Sequence, residues 1–327
     1  MWRLRQWNCG LFLFILLFSS SLLGGAGTGL HCHALNNFLL REFQKLRCKL
    51  MWLIPLFYFF LGGNPMETLK SLTDFYSNYD EEGRLRSQHG MVEFLTSMRY
   101  IDKYIKPGMR VLEIGAATGR YSHALAQQGY QVDAVELVEH NIRIFREKTL
   151  PEEPVTVRQG NAKDLSFYNS ETFDMTLLLG PMYHLFTKDE QLQALSEAVR
   201  VTKTGGLIFV AYCGNEATMV QFCFGRGVLK EERYRRLVDP VTFKAKSDPA
   251  ELFQLYRKEE IDELVRHFPL SRLHYVGTDM ATNYMRETID AMDPEFFELY
   301  LQYHFSICER QDLVGASHHI LDVLRKR

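Results

Sequence analysis

The sequence lacks paired cysteines, and most of its length has no excess of positive charge. Its six cysteines stand at positions 9, 32, 48, 213, 223 and 308, with no CxxC pair among them. This spacing does not match a zinc site, so we expect no metal, and the last three cysteines are expected to be free thiols in a reducing compartment. From residue 66 onward the chain carries 32 basic and 39 acidic residues. That balance argues against a general nucleic-acid-binding surface.

The first 65 residues differ in composition from the rest. Arg3 and Arg5 precede an apolar run over residues 11–23, a pattern typical of a secretory signal peptide or a short anchor. A second apolar run, over residues 50–61, contains Pro55 and is too short to span a bilayer comfortably. Three interpretations stay open: a membrane anchor, a cleaved signal, or upstream sequence translated in error before a start at Met66. Residues 66–327 are expected to form a cytoplasmic domain, tethered to a membrane only if the extension is a genuine anchor.

The centre of the chain is the stretch from Arg110 to Glu136, RVLEIGAATGRYSHALAQQGYQVDAVE. It predicts a short apolar strand, a glycine-bearing turn, a helix that Gly129 ends, and a second strand. Two strands joined through a helix in this way are expected to be parallel neighbours in one sheet.

The turn in this stretch indicates a nucleoside ligand. Gly115 and Gly119 can adopt positive φ and bring the backbone close to a bound group, and Ala117 is nearly as small. Glu136, which closes the second strand, can accept hydrogen bonds from both hydroxyls of a ribose. Because Ala117 stands where GxGxxG has its second glycine, the pattern argues against a nicotinamide-dependent oxidoreductase.

Glu113-x-Gly115-x-Ala117-x-Gly119, followed by Glu136, resembles motifs I and II of the class I S-adenosylmethionine-dependent methyltransferases, of the small-molecule type with a methyltransferase 11/25-like domain. The resemblance implies that these five residues belong to the cofactor site. It places the glycine turn under the methionine part of the cofactor and Glu136 on its ribose. The family often has glycine where this chain has Ala117.

Two later loops extend the resemblance. After the third strand, Asn161 and Ala162 match the position where the family contacts adenine, with an amide in place of the usual acid. After the fourth strand, Gly180 replaces the acceptor residue of the Asp/Asn-Pro-Pro-Tyr motif, which disfavours methylation of a nucleobase amine. In this loop Tyr183 and His184 are the best candidates for touching substrate. The alternative, that the tyrosine packs on the sheet and the histidine caps backbone, stays open with equal weight.

The resemblance runs from Val92 to Cys213 and implies an α/β, Rossmann-like, doubly wound fold. We predict seven strands in the order 3-2-1-4-5-7-6, with the last strand antiparallel. Two insertions, at about residues 214–250 and 279–316, are expected to form helical lids. Residues 279–310 have a helical composition, and Asp293-Pro294 is a helix start.

We therefore expect transfer of a methyl group from S-adenosylmethionine to an unidentified acceptor, favoured to be a small molecule. His184 is the candidate general base if the acceptor starts protonated. Two alternatives remain: a non-catalytic S-adenosylmethionine-binding regulatory module and, less favoured, a nicotinamide-dependent oxidoreductase. A polar aromatic segment before the first strand, with Tyr76, Tyr79 and Arg84, is expected either to lie across the cofactor or to pack on the sheet edge.

Overall fold

The computed structural model of the chain describes residues 72–76, 87–246 and 253–327. The 65-residue extension and its three interpretations lie outside the described residues. The same holds for Tyr79, Arg84 and the last four residues of the first predicted lid. Across the described ranges we find no helix with the length and apolar character that a membrane crossing needs.

The centre of the fold is one mixed sheet. Its strands are β1 (Arg110–Ile114), β2 (Gln131–Glu136), β3 (Val155–Gln159), β4 (Phe173–Leu178), β5 (Thr202–Gly214), β6 (Leu255–Tyr256), β7 (Leu270–Gly277) and β8 (His319–Lys326). The order is β3-β2-β1-β4-β5-β8-β7, and β6 pairs with the end of β5. β8 is antiparallel to both of its neighbours.

The predicted strand order is confirmed with one addition. If β6 is set aside, the seven remaining strands follow the predicted order, including the antiparallel last strand. The sequence did not indicate β6 because its two residues are too few to show a strand period.

Helices lie on both faces of the sheet. They are α1 (Gln88–Tyr104), α2 (Arg120–Gln127), α3 (Glu139–Lys148), α4 (Lys188–Val201), α5 (Asn215–Thr218), α6 (Glu232–Arg235), α7 (Lys258–Arg266), α8 (Arg286–Asp290) and α9 (Pro294–Ile307). α4 begins with a capping box between Thr187 and Glu190. Asp293 caps α9 ahead of Pro294, which confirms the predicted helix start.

The core has two layers, one on each face of the sheet. Alternate residues of a strand point to opposite faces, so Leu112 and Ile114 join the cluster that includes α4 and α7, whereas Val111 joins the cluster that includes α1 and α2. These buried layers hold the carboxyl ends of the parallel strands at one common edge.

The two insertions are short helical pieces and not continuous helices. The first contains α5, a π-helix (Met219–Phe224), a 3-10 turn (Val228–Lys230) and α6. The second contains 3-10 turns (Thr282–Met285 and Val314–Ala316), α8 and α9, so residues 279–310 are largely helical, as expected, but in separate pieces. Gln221 Nε2 donates to the carbonyl oxygen of Asn283, and this bond joins the two insertions.

Candidate functional site

The turn after β1 holds its backbone in the left-handed region at three places. φ is +77° at Gly115, +46° at Ala117 and +88° at Gly119. The amide of Gly115 donates to the carbonyl oxygen of Val135 on β2 (2.8 Å), which fixes the turn to the neighbouring strand. Glycine adopts such angles freely, whereas alanine does so at a cost of roughly 1–2 kcal/mol. The predicted turn is present, and Ala117 is its strained position.

Glu136 joins this turn to the end of β2. The residue is buried, with only 6% of its surface exposed to solvent. Oε2 accepts a hydrogen bond from the amide of Ala117 (2.8 Å). Oε1 accepts from the amide of Val138 (2.9 Å) and from Asn141 Nδ2 (3.3 Å). Burial raises the pKa of the Glu136 carboxyl, and the bonds from Val138 and Ala117 oppose that rise. The structure thus brings the acid and the glycine turn together.

Glu113 lies beneath the same turn. It is buried on β1, and Ser122 Oγ on α2 donates to its carboxyl group. Burial raises the pKa of Glu113 to about 8, the hydrogen bond from Ser122 lowers it, and nearby Glu136 raises it further. The carboxyl of Glu113 is therefore largely protonated at neutral pH, and one buried negative charge is avoided.

The loops after β1 and β4 touch each other at the edge of the sheet. A Cβ atom built on Gly115 would lie 2.7 Å from Pro181 Cδ, and one built on Gly180 would lie 3.3 Å from the carbonyl oxygen of Gly115. β1 and β4 flank the point where the strand order reverses. Open α/β sheets bind ligands in the crevice at that point.

Residues 111–206, which contain the glycine turn, Glu136 and Gly180, match the family model described as "Methyltransferase domain". Over this stretch the chain resembles the class I S-adenosylmethionine-dependent methyltransferases.

Curated relatives with similar sequences carry methyltransferase names. The Cypemycin N-terminal methyltransferase of Streptomyces sp is 30% identical over 146 residues, which are 42% of this chain and 56% of that protein. The Putative methyltransferase YqeM of Bacillus subtilis (strain 168) is 20% identical over 110 residues, 34% of this chain and 44% of that protein. The Ubiquinone biosynthesis O-methyltransferase of Leptothrix cholodnii is 23% identical over 236 residues, 68% of this chain and 96% of that protein. The chain spans about half the length of the first two relatives.

Tyr183 and His184 lie on a 3-10 turn (Pro181–His184) directly after β4, and both are partly buried. The hydroxyl of Tyr183 donates to the carbonyl oxygen of Leu179 (3.1 Å). His184 Nε2 lies 2.8 Å from the hydroxyl of Tyr76. The helical residues 72–76 therefore reach the loop after β4.

An aromatic cluster surrounds His184. Its imidazole centroid lies 5.2 Å from the ring centroid of Phe253, 5.5 Å from Tyr76 and 4.8 Å from Tyr183. The sequence gave two possible places for Tyr76, across the cofactor or on the sheet edge. The structure shows its hydroxyl against His184, a contact that the sequence did not indicate. Phe253 was missed, because it lies far along the chain in a stretch without a clear period.

The turn after β3 lies beside the methyltransferase motifs. The amide of Gly160 donates to the backbone carbonyl of Glu136 (3.0 Å). Asn161 Oδ1 accepts from the amide of Lys163 (3.0 Å), and Ala162 is 7% exposed. The structure therefore places Asn161 and Ala162 next to the end of β2, where the predicted ribose-binding acid stands.

Glu113→Gln is expected to remove a pH dependence of stability. The folded pKa of about 8 lies above the ordinary 4.5, so the folded chain holds an extra proton between these values. Its contribution to stability is complete below about pH 4.5 and is lost as pH rises toward 8, by roughly 1.4 kcal/mol per pH unit. The neutral amide of glutamine has no such loss. Urea unfolding of both chains at pH 5 and pH 8.5 measures it.

Ser122→Ala is the companion variant. It removes a hydrogen bond that lowers the pKa of Glu113, so its stability is expected to go on falling to a higher pH than that of the wild-type chain, with the same slope per pH unit. Parallel pH profiles for the wild-type chain and Glu113→Gln would show that Glu113 titrates normally in the folded protein.

Proposed function

We propose that this protein transfers a methyl group from S-adenosylmethionine to a small-molecule acceptor. The observation that carries the proposal is the bond between Glu136, a buried acid at the end of β2, and the amide of Ala117 in the left-handed turn after β1. In this proposal the Glu136 carboxylate accepts the ribose hydroxyls. The turn from Gly115 to Gly119 borders the methionine part of the donor.

The hydrogen-bonding capacity of Glu136 fits that role. A carboxylate oxygen offers about two acceptor sites. Oε2 accepts from Ala117, and the bond to Oε1 from Asn141 is long at 3.3 Å. The backbone amide of Leu137 also acts on this carboxyl, and the long contact with Asn141 is the one that can yield to a stronger donor. The carboxylate can therefore accept hydroxyl groups and still hold the turn.

The remaining cofactor residues surround this pair. Asn161 and Ala162 are proposed to contact adenine, since an amide side chain both accepts and donates hydrogen bonds, as the adenine edge does. Gly180 keeps the loop after β4 close to Gly115. Glu113 is proposed to act through its buried bond with α2, which maintains the shape of the turn.

The acceptor is proposed to lie against Tyr183, His184, Tyr76 and Phe253. The sulfonium of S-adenosylmethionine supplies an already activated methyl group, so these residues contribute chiefly by positioning. A base is required only for an acceptor that is protonated near neutral pH. Nε2 of His184, which contacts the Tyr76 hydroxyl, is the proposed proton acceptor in that case.

Three observations support a small-molecule acceptor. One relative is named for ubiquinone biosynthesis, and it aligns with 68% of this chain. The insertions after β5 and β7 contact each other through Gln221 and Asn283, and we propose that together they form the lids over the acceptor site. The acidic balance of residues 66–327 also disfavours a nucleic acid.

Calorimetric titration of the full chain with S-adenosylhomocysteine, the demethylated form of the donor, tests the proposal. We expect saturable binding at one site per chain and no binding of NAD, the control nucleotide. A folded chain that fails to bind S-adenosylhomocysteine, or binds NAD as tightly, would refute the methyltransferase proposal. Circular dichroism of the same sample establishes that it is folded.

A further inference from the structure

A second polar cluster lies at the same edge of the sheet as the proposed cofactor site. His319 begins β8, Asp279 follows β7 and Glu93 lies on α1. His319 Nδ1 lies 2.7 Å from Asp279 Oδ2 and 3.3 Å from Glu93 Oε2. The possible ligand atoms of all three residues lie within 4.8 Å of one another.

The topology places this cluster on the acceptor side of the crevice. His319 pairs with Cys213 near the end of β5, and β5 is the neighbour of β4. Strands in a sheet stand about 4.8 Å apart. His319 is therefore two strand spacings, roughly 10 Å, from the line of β4, whose end carries the loop with His184.

Asp279 is held in one orientation by a shell of donors. It is 1% exposed. Its Oδ1 accepts from Ser317 Oγ (2.5 Å) and from the amides of His318 (2.9 Å) and His319 (3.1 Å). The side-chain amide of Asn283 donates to Oδ2. Outer hydrogen bonds of this kind orient the carboxylate ligands of metal ions.

The other two side chains remain accessible. The side chain of His319 is 23% exposed and that of Glu93 is 16% exposed, so neither is sealed from solvent as Asp279 is.

We propose that Glu93, Asp279 and His319 bind one divalent transition-metal ion. One imidazole nitrogen with two carboxylate oxygens suits Zn²⁺, Mn²⁺ or Fe²⁺ better than Mg²⁺ or Ca²⁺, which prefer oxygen alone. Ligand atoms about 2.1 Å from a metal stand about 3.0 Å apart in octahedral and about 3.4 Å apart in tetrahedral coordination, and the observed separations are 2.7 and 3.3 Å. The ion takes the place of the proton between imidazole and carboxylates. From the sequence we expected no metal, because these ligands lie far apart in the chain and form no local motif.

The proposal is tested on the full chain without a histidine tag. After treatment with EDTA and its removal, the chain is titrated calorimetrically with Zn²⁺ and with Mn²⁺, and Mg²⁺ serves as the comparison ion. We expect one Zn²⁺ or Mn²⁺ per chain. Glu93→Gln and His319→Gln are each expected to weaken that binding at least about tenfold.

His89→Gln is the matched control. His89 Nδ1 also lies 2.7 Å from a carboxylate oxygen, that of Asp290, so it tests whether any histidine–carboxylate pair binds the ion. We expect wild-type metal affinity in this variant. The proposal is overturned if the wild-type chain binds neither ion saturably, or if the Glu93 and His319 variants bind as tightly as the wild type. Equal weakening in His89→Gln would overturn it too.

The metal site and methyl transfer are tested separately. S-adenosylhomocysteine is titrated into the same samples, and Glu93→Gln is expected to bind it normally. If the chain binds S-adenosylhomocysteine but no metal, the three side chains are an ion-paired contact that fastens α1 to β8, and the metal site is refuted alone. If it binds the metal but no S-adenosylhomocysteine, the proposed function is refuted alone.

Discussion

Replacing Glu136 by glutamine is expected to weaken the binding of S-adenosylhomocysteine to the full chain by about 100-fold. A hydrogen bond to a charged group contributes roughly 1.5–3 kcal/mol, and the proposed ribose contact involves two of them. The amide nitrogen of glutamine would also face a backbone amide, of Ala117 or of Val138, in place of an acceptor. A total of about 3 kcal/mol corresponds to about 100-fold in Kd. Isothermal titration calorimetry measures it directly.

Glu139→Gln is the control for this variant. Glu139 lies three residues further on, in the first turn of α3, where its side chain is 65% exposed. The Glu139→Gln variant loses the same negative charge without touching the turn after β1. We expect its Kd for S-adenosylhomocysteine to stay within about twofold of the wild-type value. Wild-type affinity in a folded Glu136→Gln chain would show that the carboxylate does not hold the ribose. Thermal unfolding of both variants establishes that they are folded.

Gly119→Ala is expected to lower the free energy of unfolding by roughly 2–5 kcal/mol. A Cβ atom at Gly119 would lie 2.5 Å from two ring carbons of Phe145 and 2.8 Å from His123 Cδ2. Overpacking of this kind costs about 1–3 kcal/mol, and the left-handed φ of +88° adds roughly 1–2 kcal/mol for alanine. Urea unfolding of the full chain, followed by circular dichroism, measures the loss.

Gly129→Ala separates the two costs. Gly129 has almost the same φ, +89°, but a Cβ atom there would meet nothing within 4 Å. It is expected to lose only the backbone contribution, roughly 1–2 kcal/mol. The difference between the two variants is the cost of the contact with Phe145. Equal losses in both would mean that α3 moves aside and that the turn is less tightly packed than the structure shows.

Much of the fold could be predicted from short stretches of sequence. β1, β2 and β4 are apolar runs bounded by turns, and the glycine turn between β1 and α2 is local chemistry. The order of the strands came from resemblance to the family and is confirmed. The interrupted helices of the second insertion were not predicted. Helical composition alone does not show where a chain breaks to pack against other elements, as α9 does against α1.

Part of the candidate site could be predicted from the sequence and part could not. Gly115, Ala117, Gly119 and Glu136 were predicted together because one βαβ unit contains them, and parallel pairing of β1 with β2 brings the acid beside the turn. The partners of His184 were not predicted together. Tyr76 and Phe253 reach it from distant parts of the chain, and no local period records such a contact.

The sequence by itself determined the βαβ unit, its left-handed turn and the acid that follows β2. These features depend on φ, ψ and side-chain chemistry within about 25 neighbouring residues, which propensity and spacing describe. Only the tertiary structure decided that Glu113 is held protonated, that Tyr76 meets His184, and that Glu93, Asp279 and His319 converge. Each of these depends on burial or on contacts between distant segments. Burial and such contacts follow from the order of the strands and the packing of the helices, which no single stretch of sequence encodes.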